Sequence, residues 1–482
     1  MSATSKEGEN LSTNDRANRH PSTPSSHTKK CPLNANFVKM VVEELRVQRG
    51  IALPLVAMNL AWFAKLAITT AFLGHLGELN LAGGALGFSF ANVSGFAVLN
   101  GLSGAMEPIC GQAHGAKNVR LLHKTLLMTT LLLLLALLCP LKAYLSSQCM
   151  TLPTMFSSAV ALAFHIPVNI LLSKTMGLRG VSIAVWVTDL IVMVMLAIYV
   201  VVLERRNGSM LWKEGGWWDQ NMMDWSRLIK LSGSCCLNTC LEWWCYEILL
   251  FLTGHLANAK QAVGVLAIVL NFDYLLYAVM LSLATSVSTR VSNELGANRA
   301  GQAYKSARVS LAVSVISGCI GGSIMVAARG VWGNLFSHQK GVVKGVEKAM
   351  LLMALVEVFN FPVTVCGGIV RGTGRPWLSM YASLGGFYFL TLPLGVVFAF
   401  KLRFGLGGLL IGLLIGIAAC LVLLLTFIVR INWVEEATKA QTFVCNAQVH
   451  EQVSRNEVNE LTENPEGDQV CKETSITPYS CI

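Results

Sequence analysis

The sequence predicts an all-α protein that crosses a lipid bilayer many times, and three observations carry that prediction. Hydrophobic residues make up 54% of the chain against 13% charged, with a mean hydropathy of +0.55, a balance foreign to soluble globular domains. Charge-free runs such as Phe88 to Met106, Val309 to Ala328, Trp377 to Phe400 and Phe404 to Val429 are each long enough to cross about 30 Å of hydrocarbon as a helix. Glycine and proline marks recur in the same order in two parts of the chain, as in proteins built from paired helical bundles. Soluble-enzyme and nucleic-acid-binding readings are excluded by the same numbers.

In chain order, residues 1–50 read as a mostly disordered cytoplasmic tail, rich in Ser, Thr and Asn and lacking the basic start and short apolar core of a secretory signal. The first span, 51–73, is apolar except for Lys65 among Trp62, Phe63 and Ile68; a buried ammonium there neutralises an acid, attracts an anion or lies in a partly hydrated bundle interior. Small residues dominate the second, 81–106, and favour close helix approach. Further spans are expected at 121–147, 151–172 and 178–203, the last two divided by Gly177. A polar linker, 204–227, then carries Arg205, Arg206, Glu214, Asp219 and Asp224, with Trp217, Trp218 and Trp225 suited to a membrane interface. Six more elements follow at 228–255, 261–287, 305–328, 346–370, 376–400 and 404–430, before a polar tail over 431–482. The domain reading is therefore an N-terminal bundle over 51–203, a cytoplasmic linker and a C-terminal six-helix bundle over 228–430.

The total is eleven elements, not an even number. Gly74-His75-Leu76 recurs as Gly254-His255-Leu256, Gly115-Ala116 as Gly296-Ala297, Pro140 and Pro153 as Pro362 and Pro376, and Gly177-Leu178 as Gly405-Leu406. The offset rises from 181 at Gly115 to 222 at Pro140, so the first half is short by 41 residues, about one helical hairpin. The distribution of Lys and Arg favours a chain that is back in the cytoplasm before Pro153. Yet 121–147 makes a helix of only about 40 Å, enough for one crossing and too short for two. Either one long, distorted helix or two half-helices is expected there.

The run Glu107-Pro108-Ile-Cys-Gly111-Gln112-Ala-His-Gly115-Ala116 and the run Arg371-Gly372-Thr-Gly374-Arg-Pro376 resemble motifs of the multidrug and toxic compound extrusion (MATE) transporters, in their plant detoxification branch. Leu241-Glu242-Trp-Trp-Cys-Tyr246-Glu247 and Arg290-Val-Ser-Asn293-Glu294-Leu-Gly296-Ala297 extend the likeness over about Val41 to Trp433. The resemblance implies two parallel-repeat helical bundles around a central cavity, and export of organic solutes in exchange for protons, with sodium the less expected coupling ion. It also implies an N-terminal bundle truncated between Leu138 and Cys139, where the end of one helix, a loop and most of the next are missing.

Glu242 stands in an apolar helix, where an ionised carboxylate costs several kcal/mol unless it faces water or a partner. It must face the cavity or be neutral, and a desolvated acid that takes up protons suits a proton-coupled carrier; the resemblance puts the family's key acid at this place. The bland alternative is a neutral Glu bonding a neighbouring helix. Glu247 follows about 140° around the helix, so the two cannot point squarely into one small site. Tyr246, with Trp243 and Trp244, offers aromatic faces to a cation, although packing suits at least two of the three. The resemblance expects an acid eleven residues before Arg371, but that position is Asn360, which bonds and cannot titrate, leaving Glu357 one turn away as second acid. Asn271 occupies the place of an acid found in animal relatives. Asp189 and Asp273 rank lower. Glu107, Pro108, Gly111, Gln112, Gly115, Arg371, Gly372 and Gly374 read as helix-exit motifs that permit close approach. Pro54, Pro167, Pro362 and Pro393 read as static kinks or bending points.

The 14 cysteines include no CxxC pair, and Cys236 and Cys240, sharing a helix face, read as packing residues before any metal role. The nine histidines are dispersed, so no catalytic constellation, cofactor or metal is expected. The expected protein is a multi-pass carrier exchanging a small organic solute (toxin, secondary metabolite or hormone-like compound) for protons. It would lie in the plasma membrane or an endomembrane (vacuole, Golgi or endosome) with both tails cytoplasmic and no nucleic-acid partner. The alternative is a transport-incompetent short form acting by association with full-length relatives.

Overall fold

The structure, a computed structural model, describes residues 33–76, 78–133, 137–206, 222–337 and 339–447. Most of the expected linker, with Trp217 and Trp218, and the outer parts of both tails lie outside these residues. Among the described residues every regular element is helical: α1 (Leu33–His75), α2 (Glu78–Ala91), α3 (Ala97–Ser103), α4 (Met106–Gly115), α5 (Val119–Leu132), α6 (Leu138–Ser147), α7 (Leu152–Met176), α8 (Leu178–Arg206), α9 (Met222–Thr253), α10 (Ala259–Gly296), α11 (Ala300–Phe336), α12 (Lys340–Gly372), α13 (Pro376–Lys401), α14 (Leu406–Val429) and α15 over 433–447. Contacts group residues 43–482 into one unit and set those before 43 apart.

Nine of these helices are long and apolar enough to cross a membrane: the Lys39–Leu73 stretch of α1, and α7 to α14. Outward positions such as Phe156, Phe164, Trp186, Ile198, Ile320, Ile324 and Val422 stay exposed because lipid, not protein, is their apolar neighbour. Inward positions form several cores, the two largest of which are divided between the halves. One joins Met106, Cys110, Leu122, Tyr144, Val192 and Leu196 in the first half, and the other joins Val269, Met325, Met350, Met353, Val356, Ile417 and Cys420 in the second. Pro54, Pro167 and Pro362 lie inside helices that continue through them. Around Pro393, whose ring lacks an N–H, α13 widens into π turns at Leu384–Thr391 and Val397–Lys401.

One expected span is widened and another is not a single helix. Over 81–106 the chain stays helical from α2 through a π turn at Asn92–Phe96 into α3, which ends at Ser103, and the residues from Met106 to Gly115 form a helix rather than a bare exit. The stretch 121–147 resolves into the half-helices α5 and α6, of about 21 and 15 Å. Asn118 caps α5, its side chain accepting from the Leu121 amide at 2.9 Å. At the far end of α6 the Ser147 carbonyl accepts from Asn293 Nδ2 at 3.1 Å, and Asn293 lies against Gly115, just before α5 begins. The pair thus enters and leaves at one end of the bundle.

The internal repeat is written in the backbone. Lys117 and Asn298, each two residues after a repeated glycine, both take positive φ (60° and 57°), as do Gly177 (58°) and Gly405 (57°). Cys149 (60°) adopts in the first half a conformation that the second half gives to Gly374 (77°).

Candidate functional site

A cavity of about 40 Å³, room for a few waters, opens inside the second half between α9, α10 and α12. Glu242, Trp243, Tyr246 and Glu247 line it from α9, Asp273, Tyr274 and Tyr277 from α10, and Asn360 from α12. The aromatic wall is ordered by ring packing: Trp243 stacks on Tyr274 (6.2 Å, 20° between planes) and meets Tyr277 edge-on (5.4 Å, 83°). Phe63 of α1 also stacks on Tyr274, at 5.9 Å, so the first half contributes to this wall.

Glu242, Tyr246, Glu247 and Asn360 are therefore brought together. Glu242 makes no hydrogen bond or ion pair with another described residue, whereas Glu247 accepts from the Ser89 hydroxyl of α2 at 2.9 Å. That contact gives the angular separation of the two acids its meaning, since one faces the cavity interior and the other also the opposite half. Glu357 is fully buried one turn from Asn360, next to Asp273. Asn271 is not brought to the cavity: it is exposed, and its amide donates to the Ala267 carbonyl of its own helix at 2.9 Å. Asp273, ranked lower from the sequence, takes the inward place instead. Two residues turn an α-helix by about 200°, so one of the pair faces inward and the other outward. Because α10 is apolar on every side, only packing shows which.

The exit motifs meet each other across the two halves. Arg371 Nε donates to Glu107 Oε2 at 2.7 Å. Beside them α4 and α10 cross with their backbones in contact: a Cβ on Gly115 would overlap the Asn293 carbonyl, and one on Gly296 would overlap Gln112. A Cβ on Gly111 would strike the Ser292 hydroxyl, and Gly372 crowds the Ser288 carbonyl. Pro108 is buried within α4, in its first turn. Arg290 extends the closure by holding Glu44 of α1 through two contacts of 3.2 Å and Glu294 at 2.9 Å. Helix α15 lies over the same end: Glu436 pairs with Arg375, Phe443 lies under the Arg227 guanidinium (3.5 Å), and Val444 joins the first-half core. On its exposed face the hydrogen bond from Lys439 holds the Glu435 carboxyl below the usual range.

In the first half Lys65 pairs with Asp189 of α8, so it neutralises an acid. Behind them His165 is enclosed by Thr69 (3.0 Å), Asn169 (3.0 Å) and Thr188 (3.2 Å). Cys236 and Cys240 place their sulfurs 3.8 Å apart, and no group of three or more metal-ligating side chains occurs among the described residues.

The MatE family profile matches residues 54–139 and 234–397. The chain is similar to Protein DETOXIFICATION 56 of Arabidopsis thaliana, 55% identical over 456 residues, covering 86% of this chain and 93% of the relative. It is 35% identical to Protein DETOXIFICATION 48 of the same plant over 83% of each chain. Among solved structures, the eukaryotic MATE transporter AtDTX14 superposes with a TM-score of 0.76 at 27% identity, over 84% of this chain and 100% of that one. The Vibrio cholerae MATE transporter VcmN, in its bent form, shares the fold at 16% identity, with a TM-score of 0.68 over 84% of this chain and 99% of that one.

Proposed function

The chain belongs to the MatE family of multi-pass membrane transporters, and from that premise we propose that it exports a small organic solute in exchange for protons, with Glu242 as the coupling acid. The observation that carries this reading is an acid in a cavity wall inside the membrane region, with no partner among the described residues. Such a group is favoured neutral while the cavity is closed and ionised when water enters, the alternation an exchanger needs. Carboxyls beside the faces of Trp243, Tyr246, Tyr274 and Tyr277 suit an organic cation, be it a toxin, a secondary metabolite or a hormone-like compound. A drug-sized solute exceeds the present volume, so loading requires the halves to part, and Asn360 offers an amide to orient it. The membrane is the plasma membrane or an endomembrane, with both tails cytoplasmic; the Lys and Arg distribution supports that orientation.

The test is pH-gradient-driven efflux from vesicles. Glu242→Gln keeps size and hydrogen bonding but cannot release a proton, so efflux falls to background, while Glu242→Asp retains part of it and Asn360→Gln weakens solute binding without removing the pH dependence. Undiminished coupled efflux by Glu242→Gln overturns the assignment, and efflux driven by a sodium gradient alone overturns the choice of ion. The half-helices α5 and α6 favour a second reading, a short form that does not transport and associates with longer relatives; wild-type efflux excludes it.

A further inference from the structure

Glu242 leaves two buried acids unexplained. Glu357 on α12 has no exposed surface and Asp273 on α10 is 5% exposed, and their carboxyl groups lie within hydrogen-bond reach of each other. The Asn360 amide comes within the same reach of Glu357, and no other donor among the described residues bonds either oxygen of Glu357 or Oδ1 of Asp273. No Lys, Arg or His among those residues is paired with either acid. The groups facing the pair are Glu242 and Tyr246 from α9, Tyr274 and Tyr277 from α10 and Asn360 from α12, while α11 packs against this part of α12 with Gly318 and Gly322. Arg371, the cation on α12, is held by Glu107.

Ionised carboxylates are acceptors only, so two of them cannot bond each other, and two adjacent charges buried without a counter-ion are prohibitive. A proton on one supplies the missing donor, and a proton on each removes the remaining charge.

We propose that Asp273 and Glu357 form a proton-binding pair that keeps one proton throughout the transport cycle and exchanges a second, so that each turnover moves two protons, one at the pair and one at Glu242. The count of two rests on the Glu242 reading; the pair itself does not. In the closed cavity both carboxyls are protonated and the pair is uncharged. When water reaches Asp273 one O–H bond breaks, the proton passes to water, and the proton left behind bridges the two groups, which together carry one negative charge. Uptake from the opposite side of the membrane reverses the step. Loss of the second proton is blocked, because it would leave two carboxylates side by side.

Infrared spectroscopy of the full chain in lipid vesicles reads this without transport. The protonated-carboxyl C=O band of the wild type shrinks as pH rises but leaves a remainder that shifts in heavy water. Glu357→Gln removes the remainder, Asp273→Asn does the same should the first variant fail to fold, and Glu242→Gln leaves it. A wild-type band that vanishes, or a remainder that survives in Glu357→Gln or Asp273→Asn, overturns the pair. With tetraethylammonium as probe and the membrane potential clamped at zero, the equilibrium solute ratio changes about a hundredfold per pH unit in the wild type and about tenfold in the double variant Asp273→Asn, Glu357→Gln; equal slopes also overturn it. Full exchange by Glu242→Gln with the remainder intact refutes the Glu242 assignment and leaves the pair standing.

Discussion

An ammonium in an apolar span must find an anion or water, and Lys65 finds Asp189 on a helix more than a hundred residues away in sequence. Replacing Lys65 by Met leaves that carboxylate without its partner. Breaking a buried pair costs about 3–5 kcal/mol, and because the Asp189 side chain keeps 27% of its surface exposed, the loss falls at the lower end. Thermal unfolding in detergent should show Lys65→Met clearly destabilised and the double variant Lys65→Met, Asp189→Leu largely restored, since the second change removes the stranded charge. A double variant no better than the single one would show that the pair carries little of the stability. Glu242, Asp273 and Glu357 stand differently: they face the same interior with no cation paired to them among the described residues, and it is on this that the proton-exchange proposals rest.

Among the elements, α5 and α6 are two half-helices where the sequence repeat leads one to expect two full spans. Too few residues remain for two crossings, so the chain turns back part-way, and its free backbone groups must be met by protein or water because lipid offers no partner. The crossing of α4 and α10 depends on glycine instead. Gly115→Val forces the two backbones apart and should destabilise the protein by about 1–3 kcal/mol, as overpacking does. Gly264→Ala, on the same α10 but with nothing within 4 Å of the new methyl group, should be neutral or slightly stabilising. Comparing their melting temperatures separates close approach from helix propensity, and equal effects would remove the argument for the crossing.

For the whole molecule, the return of α6 to the end where α5 starts determines the side on which every later loop emerges. Cysteines introduced at Ser209 and Ser337, in a background without other accessible thiols, should react with an impermeant reagent from the cytoplasm and from outside, respectively. Reversed labelling would mean that 121–147 crosses once and that the charge argument fails. The repeat shows in the same geometry: matched positive-φ residues at Lys117 and Asn298, and at Gly177 and Gly405, precede corresponding helices.

Helix content, the spans and the two-part repeat were all readable along the chain, because hydropathy and Gly/Pro punctuation are local and a membrane imposes them on each segment separately. Glu242, Tyr246 and Glu247 were singled out by their motif and Asn360 by its spacing from Arg371, and the fold lines one cavity with all four. What the sequence left open depended on direction. Whether Asn271 or Asp273 faces inward, whether Glu357 meets another acid or a cation, and which acid answers Lys65 are all set by how a helix is rotated against its neighbours. In a helix apolar on every face no periodicity records that rotation. The division of 121–147 into two half-helices was likewise decided in three dimensions, by the contacts of Ser147 and Asn293 that bring the chain back to its starting end.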